Sequence, residues 1–208
     1  MITTAALRRL ADEGDADSQF RLGYRLAFAK DPRRRNLRRA AEYWKLASAQ
    51  DHARAHFYLG TLYDDGVGVR RNLARAMRCY RAAAHLGHSE AQYNLALGYR
   101  DGEGVECKPS EAVRWFRRAA ESGDAAAQRD LGYCLHEGFG ARRNLPEAAR
   151  CYRRAARQDD PKAQYNLALC YLNGDGVPCS RAQAIKWLRR AAQARHSPAR
   201  RLLRGLAA

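Results

Sequence analysis

Two kinds of loop in the chain have residue types and spacings that occur in ligand sites. Four Gly-x-Gly loops would suit phosphate binding, but no predicted strand precedes them and no Gly-Lys-Ser/Thr follows. The run from Asn173 to Gly176 looks like part of a calcium-binding loop, but the closing glutamate of such a loop is missing. The glycine loops recur at a fixed interval, so we interpret them as helix ends.

Two further pairs of residues carry metal-binding or nucleophilic groups. His52 and His56 lie four residues apart beside Asp51, a spacing that can hold zinc on a helix, but no further ligand accompanies them. Cys134 and His136 would be a thiol and its base, but residues two apart on a helix point to nearly opposite sides. We therefore expect no catalytic residue, no metal site and no cofactor.

The elements that would position any functional side chains belong to an internal repeat. A period of 36 residues links alanines, leucines and glycines along most of the sequence. The series are Ala55, Ala91, Ala127 and Ala163; Leu59, Leu95, Leu131 and Leu167; and Gly66, Gly102, Gly138 and Gly174. A second glycine follows each of these glycines two residues later, and two more alanine series, Ala40 to Ala184 and Ala47 to Ala191, share the period.

Each repeat predicts two short helices. The first helix carries Ala, Leu and Tyr on one face, as at Ala55, Leu59 and Tyr63, and a glycine with positive φ ends it. Polar residues then suit the N-cap of the second helix, which carries a bulky pair followed by small alanines. The expected N-caps are Asn36, Asn72, Ser110, Asn144 and Ser180.

Large residues that face small ones at a fixed offset are typical of helices interlocking along a stack. The expected fold class is all-α: a right-handed superhelical α/α solenoid of five ~36-residue helix-turn-helix repeats with half-repeat caps. We expect one repeat domain over residues 1–208. Its parts are an N-terminal capping helix at 1–15, repeats at 16–52, 53–88, 89–124, 125–160 and 161–196, and a C-terminal capping helix at 197–208.

The run Ala55, Leu59, Gly60, Tyr63, Gly66, Gly68 and Val69 resembles the Sel-one-like repeat family, a relative of the tetratricopeptide repeat. The 36-residue period and the Gly-x-Gly loop favour this branch over the plain tetratricopeptide unit of about 34 residues. The resemblance covers nearly the whole chain, although the first repeat has Ala29 to Arg35 in place of the glycine loop. It implies an adaptor or scaffold that organises protein complexes, in bacterial signalling, envelope processes or host contact or in eukaryotic quality control. We expect a bacterial protein.

Charge and composition bear on the compartment and the kind of partner. The formal net charge is +16 and most basic residues are arginine, which indicates either an anionic partner or the composition of a GC-rich genome. The first residues contain no apolar run typical of a signal peptide, and no stretch is apolar enough to span a bilayer. We expect a cytoplasmic protein without membrane insertion, and its six cysteines as reduced thiols.

The variable face of the first helices is the candidate groove for a protein or peptide partner, because this face lines the concave side of such solenoids. The partner-binding candidates are Tyr93, Asn94, Arg129, Tyr165 and Asn166. The tyrosines have an alternative interpretation as partly core residues. Asn94 and Asn166 are the stronger candidates, because a mid-helix amide has no propensity advantage.

The second helices carry the candidate basic ridge, in which arginines recur at i, i+3 and i+4. The ridge consists of Arg78, Arg81, Arg114, Arg117, Arg118, Arg150, Arg153, Arg154, Lys186, Arg189 and Arg190. It can be a solvated face or a track for an acidic protein or nucleic acid. Against nucleic acid, no exposed aromatics are interleaved with the ridge for base stacking. The leading hypothesis is a non-catalytic adaptor, and the alternative is polyanion binding through the ridge.

Overall fold

A computed structural model describes residues 3–207, and every regular element in that range is helical. The α-helices are α1 Thr4–Asp12, α2 Ala16–Ala27, α3 Leu37–Ser48, α4 Ala53–Asp65, α5 Leu73–His85, α6 Ser89–Asp101, α7 Pro109–Glu121, α8 Ala125–Glu137, α9 Leu145–Arg157, α10 Pro161–Asn173, α11 Arg181–Gln193 and α12 Ser197–Ala207. A 3₁₀ turn, Pro32–Arg34, lies between α2 and α3. The predicted all-α fold is confirmed.

The helices form two compact units, Met1–Cys107 and Lys108–Ala208. In the first unit each helix from α1 to α6 packs against the next, and in the second unit the same holds from α7 to α12. The third repeat contributes α6 to the first unit and α7 to the second. Expectations that fall on residues 1, 2 and 208, at the outer ends of the two predicted caps, lie outside the described residues.

Polar side chains begin most second helices where the sequence predicts it. The N-caps Asn36, Asn72, Asn144 and Ser180 each accept a hydrogen bond from the backbone N–H three residues later. The predicted cap at Ser110 is wrong, because α7 already begins at Pro109 and Lys108 is its N-cap. Proline is favoured at the first helical position because its ring fixes φ near the helical value. The backbone N–H that proline lacks would have no hydrogen-bond partner within the helix at that position.

The two glycines of each Gly-x-Gly loop have different structural roles at the end of a first helix. The first glycine of each pair ends the helix in the left-handed region, as at Gly174 with φ 78°. The second lies against the preceding second helix, where a Cβ at Gly176 would come within 2.1 Å of the Leu145 carbonyl oxygen. The loop therefore fixes the spacing between neighbouring repeats as well as ending a helix.

Within a repeat, a small residue on the first helix makes room for a large side chain on the second. A Cβ at Gly23 would lie 2.5 Å from Trp44 Nε1, and one at Gly132 would lie 2.8 Å from the Tyr152 ring. Trp44 is fully buried, and its Nε1 donates to the Phe20 carbonyl at 3.2 Å. This close packing holds both helices of a repeat as one rigid layer.

A buried glutamine joins consecutive helices at the turn between repeats. Gln19 and Gln128 each donate through Nε2 to a carbonyl of the preceding second helix, Ala11 or Ala120. Their Oε1 atoms accept from Gln50 and Gln158, which lie at one repeat position. Gln164 occupies the same site in the fifth repeat, but its buried Oε1 has no hydrogen-bond partner among the described residues.

We expect Ala194→Gln to stabilise the second unit, because Ala194 occupies the position that Gln50 and Gln158 hold elsewhere. The new amide would donate to Gln164 Oε1, a gain of about 1 kcal/mol in the free energy of unfolding. Urea denaturation followed by circular dichroism measures it. The control is Ala182→Gln, at an exposed position of α11. An equal change in both variants contradicts the bridge.

Candidate functional site

The first helices of the N-terminal unit line a cavity of about 110 Å³ together with α5. Leu73, Met77 and Leu97 supply apolar surface, and Asn94 contributes an amide. The Tyr80 hydroxyl donates to Asp64 Oδ2 at 3.1 Å, and the Asn94 side chain also bonds to this hydroxyl group. The cavity therefore combines an apolar floor with an ordered polar side.

The C-terminal unit has a cavity of about 200 Å³ at the equivalent position, two repeats later. Tyr152, Asn166 and Leu169 take the places of Tyr80, Asn94 and Leu97, and His136 takes the place of Asp64. His136 Nε2 lies 3.5 Å from Asp175 Oδ2. No other described residue bonds to the Asn166 amide, so its donor and acceptor are both open to a ligand.

Burial keeps a thiol and a phenol of these cavities in their neutral forms. Burial raises the pKa of the Cys170 thiol to about 11, and the nearby Asp175 carboxylate adds to the rise. Cys170 is therefore a protonated thiol at neutral pH, whereas nucleophilic attack requires the thiolate. Burial, followed by the Asp64 charge, also raises the pKa of Tyr80, so its hydroxyl stays a neutral donor.

Exposed aromatic side chains accompany the cavities on the first-helix face of each unit. Tyr24 and Phe28 are 43% and 54% exposed, and their rings lie 4.6 Å apart and 5.7 Å from that of Tyr58. Tyr133, which lines the C-terminal cavity, is 52% exposed and occupies the repeat position of Tyr24. Sequence reasoning missed Tyr24, Phe28 and Tyr133; the i, i+4, i+8 spacing of Phe20, Tyr24 and Phe28 was the available signal for the first two.

Two of the other groove candidates contact the residue that begins the next first helix. Arg129 pairs with Asp130 at 2.7 Å and Asp160 at 2.9 Å, and the three side chains are only 17%, 15% and 14% exposed. The Tyr165 ring lies 5.1 Å from the His196 ring, and Tyr93 is half-buried. Of the five candidates, Asn94 and Asn166 are therefore those that the structure places in cavities.

The residues of the basic ridge are exposed along the second helices, except Arg153, which is half-buried. Many of these side chains nevertheless contact other residues of the chain. Arg117 pairs with Glu147, and Arg154 donates to the Ala120 carbonyl at 2.8 Å. Arg81 donates to the Tyr99 hydroxyl, and Arg153 donates to the Tyr171 hydroxyl. Arg118 lies over the Trp115 ring, and Arg190 lies over the Trp187 ring. Arg114 pairs with Glu111. Arg78, Arg150, Lys186 and Arg189 complete the ridge as exposed residues.

The histidines considered for zinc have other contacts. His52 is the N-cap of α4: its Nδ1 accepts from the Ala55 amide, and its ring stacks on Phe20 with centroids 4.7 Å apart. Between residues 3 and 207, no three His, Cys, Asp or Glu side chains form a group that can hold a metal ion. Over the same range, no helix combines the length and apolar character needed to cross a bilayer.

The geometry first defines the class of protein: an α/α repeat protein with a small cleft beside the first helices of each unit. A family model for the Sel1 repeat matches residues 16–52, 53–88, 89–124, 125–160 and 161–196, so the chain belongs to the Sel1 repeat family. This confirms the resemblance found in the sequence. Sel1 repeat proteins are generally non-enzymatic scaffolds for protein–protein interaction.

Solved structures of other Sel1-type proteins share the fold. A Sel1 repeat protein from Oxalobacter formigenes is 29% identical, with a TM-score of 0.82 over 99% of this chain and 79% of that one. A protective antigen of uropathogenic Escherichia coli with an SLR fold is 29% identical, with a TM-score of 0.59 over 98% of this chain and 51% of that one. A putative Sel1 repeat protein from Klebsiella pneumoniae, 16% identical, has a TM-score of 0.52, with coverage of 97% and 98%. No curated protein matches the chain.

Proposed function

We propose that this chain is a non-catalytic adaptor that binds a segment of a partner protein in the groove lined by its first helices. The observation that carries the proposal is the recurrence of one cavity in both units, with Asn94 and Asn166 at the same position in each. Each cleft suits a segment of peptide, whose backbone presents one C=O and one N–H at most residues.

The chemistry of the clefts supports a peptide as the occupant. An asparagine amide offers one acceptor and two donors, which matches the C=O and N–H of a peptide backbone. Tyr24, Phe28 and Tyr133 add exposed aromatic surface of the kind enriched at protein interfaces. Both cavities are smaller than the roughly 300–1,000 Å³ of small-molecule sites, so each suits one side chain or one peptide group.

Replacing both amides should weaken partner binding without unfolding the chain. Because each amide–backbone hydrogen bond contributes about 0.5–1.5 kcal/mol, Asn94→Ala with Asn166→Ala should weaken affinity by roughly 5- to 150-fold. A partner captured by the tagged wild type from its own lysate is identified by mass spectrometry, and its affinity for both proteins is then measured.

The matched control removes two amides from a second helix instead. Gln183→Ala with Gln193→Ala changes two exposed side chains of α11 and should leave the affinity at the wild-type value. Circular dichroism checks that both double variants keep their helical content. Equal affinity of the groove variant and the control would contradict the proposed groove.

The polyanion alternative is distinguished in the same capture experiment. Binding through Arg150, Lys186 and Arg189 would weaken steeply with salt, because each neutralised phosphate releases counterions. Proteins retained after nuclease and moderate salt support the adaptor. Loss of all captured material on nuclease treatment supports the ridge instead.

The proposed compartment is the cytoplasm. The described cysteines are all free, and the exposed Cys107 and Cys179 would be open to oxidation in a secretory compartment.

The Cys107 and Cys179 thiols each donate to a carbonyl near the end of a first helix, that of Arg100 or Leu172 respectively. Arg71 and Arg143 make the equivalent contacts through Nε in other repeats, so these four positions share a structural contact.

A further inference from the structure

A separate cavity of about 180 Å³ lies in the N-terminal unit among α1, α2 and α3. Four arginines line it, Arg8, Arg25, Arg34 and Arg39, and no Asp or Glu does so among the described residues. Its apolar side includes Leu22, which is buried in the N-terminal core, and Tyr43, which packs against that core. The cavity shares no lining residue with the clefts at Asn94 and Asn166.

The same joint in the C-terminal unit shows what this cavity lacks. Arg117 and Glu147 occupy, three repeats later, the positions of Arg8 and Arg39. Arg117 and Glu147 form an ion pair that joins α7 to α9. In the N-terminal unit a second guanidinium stands where that carboxylate would be, so two like charges face a joint that holds opposite charges between α7 and α9.

The two other arginines are placed to share an added anion. Arg25 Nη1 donates to Thr4 Oγ1 at 3.2 Å, which orients its guanidinium at the start of α1, where the helix dipole also favours negative charge. Arg34 lies 3.8 Å from Asp31, and both side chains are at least half exposed. Exposed pairs of this kind contribute little, so Arg34 can turn to a better-placed anion.

We propose that this cavity binds an acidic peptide segment of a partner: a Glu or Asp carboxylate among the four guanidinium groups and a neighbouring apolar side chain against Leu22 and Tyr43. Guanidinium groups pair with carboxylates through two parallel hydrogen bonds, the geometry for which arginine is suited. The apolar side favours a peptide over a nucleic acid, because a Leu or other alkyl side chain next to a carboxylate can cover Leu22 and Tyr43, whereas a sugar–phosphate backbone carries no such side chain. This site is independent of the groove proposed above.

The test uses the full chain and a fluorescein-labelled hexapeptide of alternating Glu and Leu with an amidated end, and it follows binding by fluorescence anisotropy. Arg39→Glu recreates the Arg117–Glu147 pair with Arg8, so it should keep the fold and fill the site from within. It should weaken peptide binding by at least about tenfold, with a thermal midpoint equal to or above that of the wild type. Arg38→Glu makes the same charge change at an exposed neighbour outside the cavity and should alter binding by less than about threefold.

Two altered probes check the assigned chemistry. Replacing Glu by Gln in the peptide should abolish binding, and replacing Leu by Ser should weaken it. Wild-type protein that does not bind the Glu–Leu peptide, or equal loss in Arg38→Glu and Arg39→Glu, overturns the proposal. Equal binding of the Ser peptide and the Leu peptide also overturns it. So does displacement of the labelled peptide by oligothymidylate at the same concentration as by unlabelled peptide. Either result would show that the site recognises negative charge alone.

Discussion

Gly176→Ala should destabilise the C-terminal unit by roughly 3 kcal/mol or more in the free energy of unfolding. The added Cβ would lie 2.1 Å from the Leu145 carbonyl oxygen and 2.5 Å from Pro146 N, both of which belong to the backbone at the start of α9. The residue also has a φ of 70°, a conformation that costs an L-residue about 1–2 kcal/mol. Relief requires the loop to move away from α9, and this loosens the joint between two repeats.

Gly174→Ala separates these two costs in the same loop. Gly174 has a φ of 78°, but the atoms nearest to its added Cβ lie 3.8 and 3.9 Å away. It should therefore lose only the conformational part, about 1–2 kcal/mol. Chemical denaturation followed by circular dichroism measures both variants. Equal losses would show that the second glycine is needed only for its φ and does not set the repeat spacing.

Gly132→Ala should cost about 1–3 kcal/mol although alanine is the better helix former, because its Cβ would lie 2.8 Å from the Tyr152 ring. The fifth repeat shows how the chain accommodates an alanine here: Ala168 and Leu188 occupy the positions of Gly132 and Tyr152, and both are fully buried. A smaller second-helix residue thus accompanies the larger first-helix residue.

The double-mutant cycle follows from that comparison. In a Tyr152→Leu background, Gly132→Ala should be neutral or stabilising by up to about 1 kcal/mol, since the clash is gone and the helix propensity gain remains. The coupling between the two sites should be roughly 2–3 kcal/mol. Additive effects of the two substitutions would contradict direct packing between these side chains.

The fold could be predicted because the same structural pattern recurs in several repeats. A single Gly-x-Gly loop is ambiguous, but four at one period identify helix ends, and Gly66, Gly102, Gly138 and Gly174 all have positive φ. The cap at Ser110 failed because a local polar preference competes with proline at the first helical position, and proline prevails in α7. The single-domain boundary at 1–208 stays a prediction.

The site was harder to predict, because exposure depends on neighbours that are distant in sequence. Arg129 has the appearance of a variable surface residue, yet Asp160, the N-cap of the following first helix α10, pairs with it. Asn94 and Asn166 were selected from their place on the variable face of the first helices and from helix propensity, and only the structure shows that each lines a cavity. Phe28 was overlooked because its exposure depends on the irregular segment that replaces the glycine loop in the first repeat.

The most direct test of the adaptor is site-specific photo-crosslinking to its captured partner. A photoreactive leucine analogue at Leu97 or Leu169 lies in the two equivalent clefts, whereas the same analogue at the exposed Leu46 or Leu86 lies in or beside a second helix. Partner binding in the groove predicts crosslinks from Leu97 and Leu169, and none from Leu46 and Leu86. Crosslinks from Leu46 and Leu86 alone would contradict the groove and place the partner on the second helices.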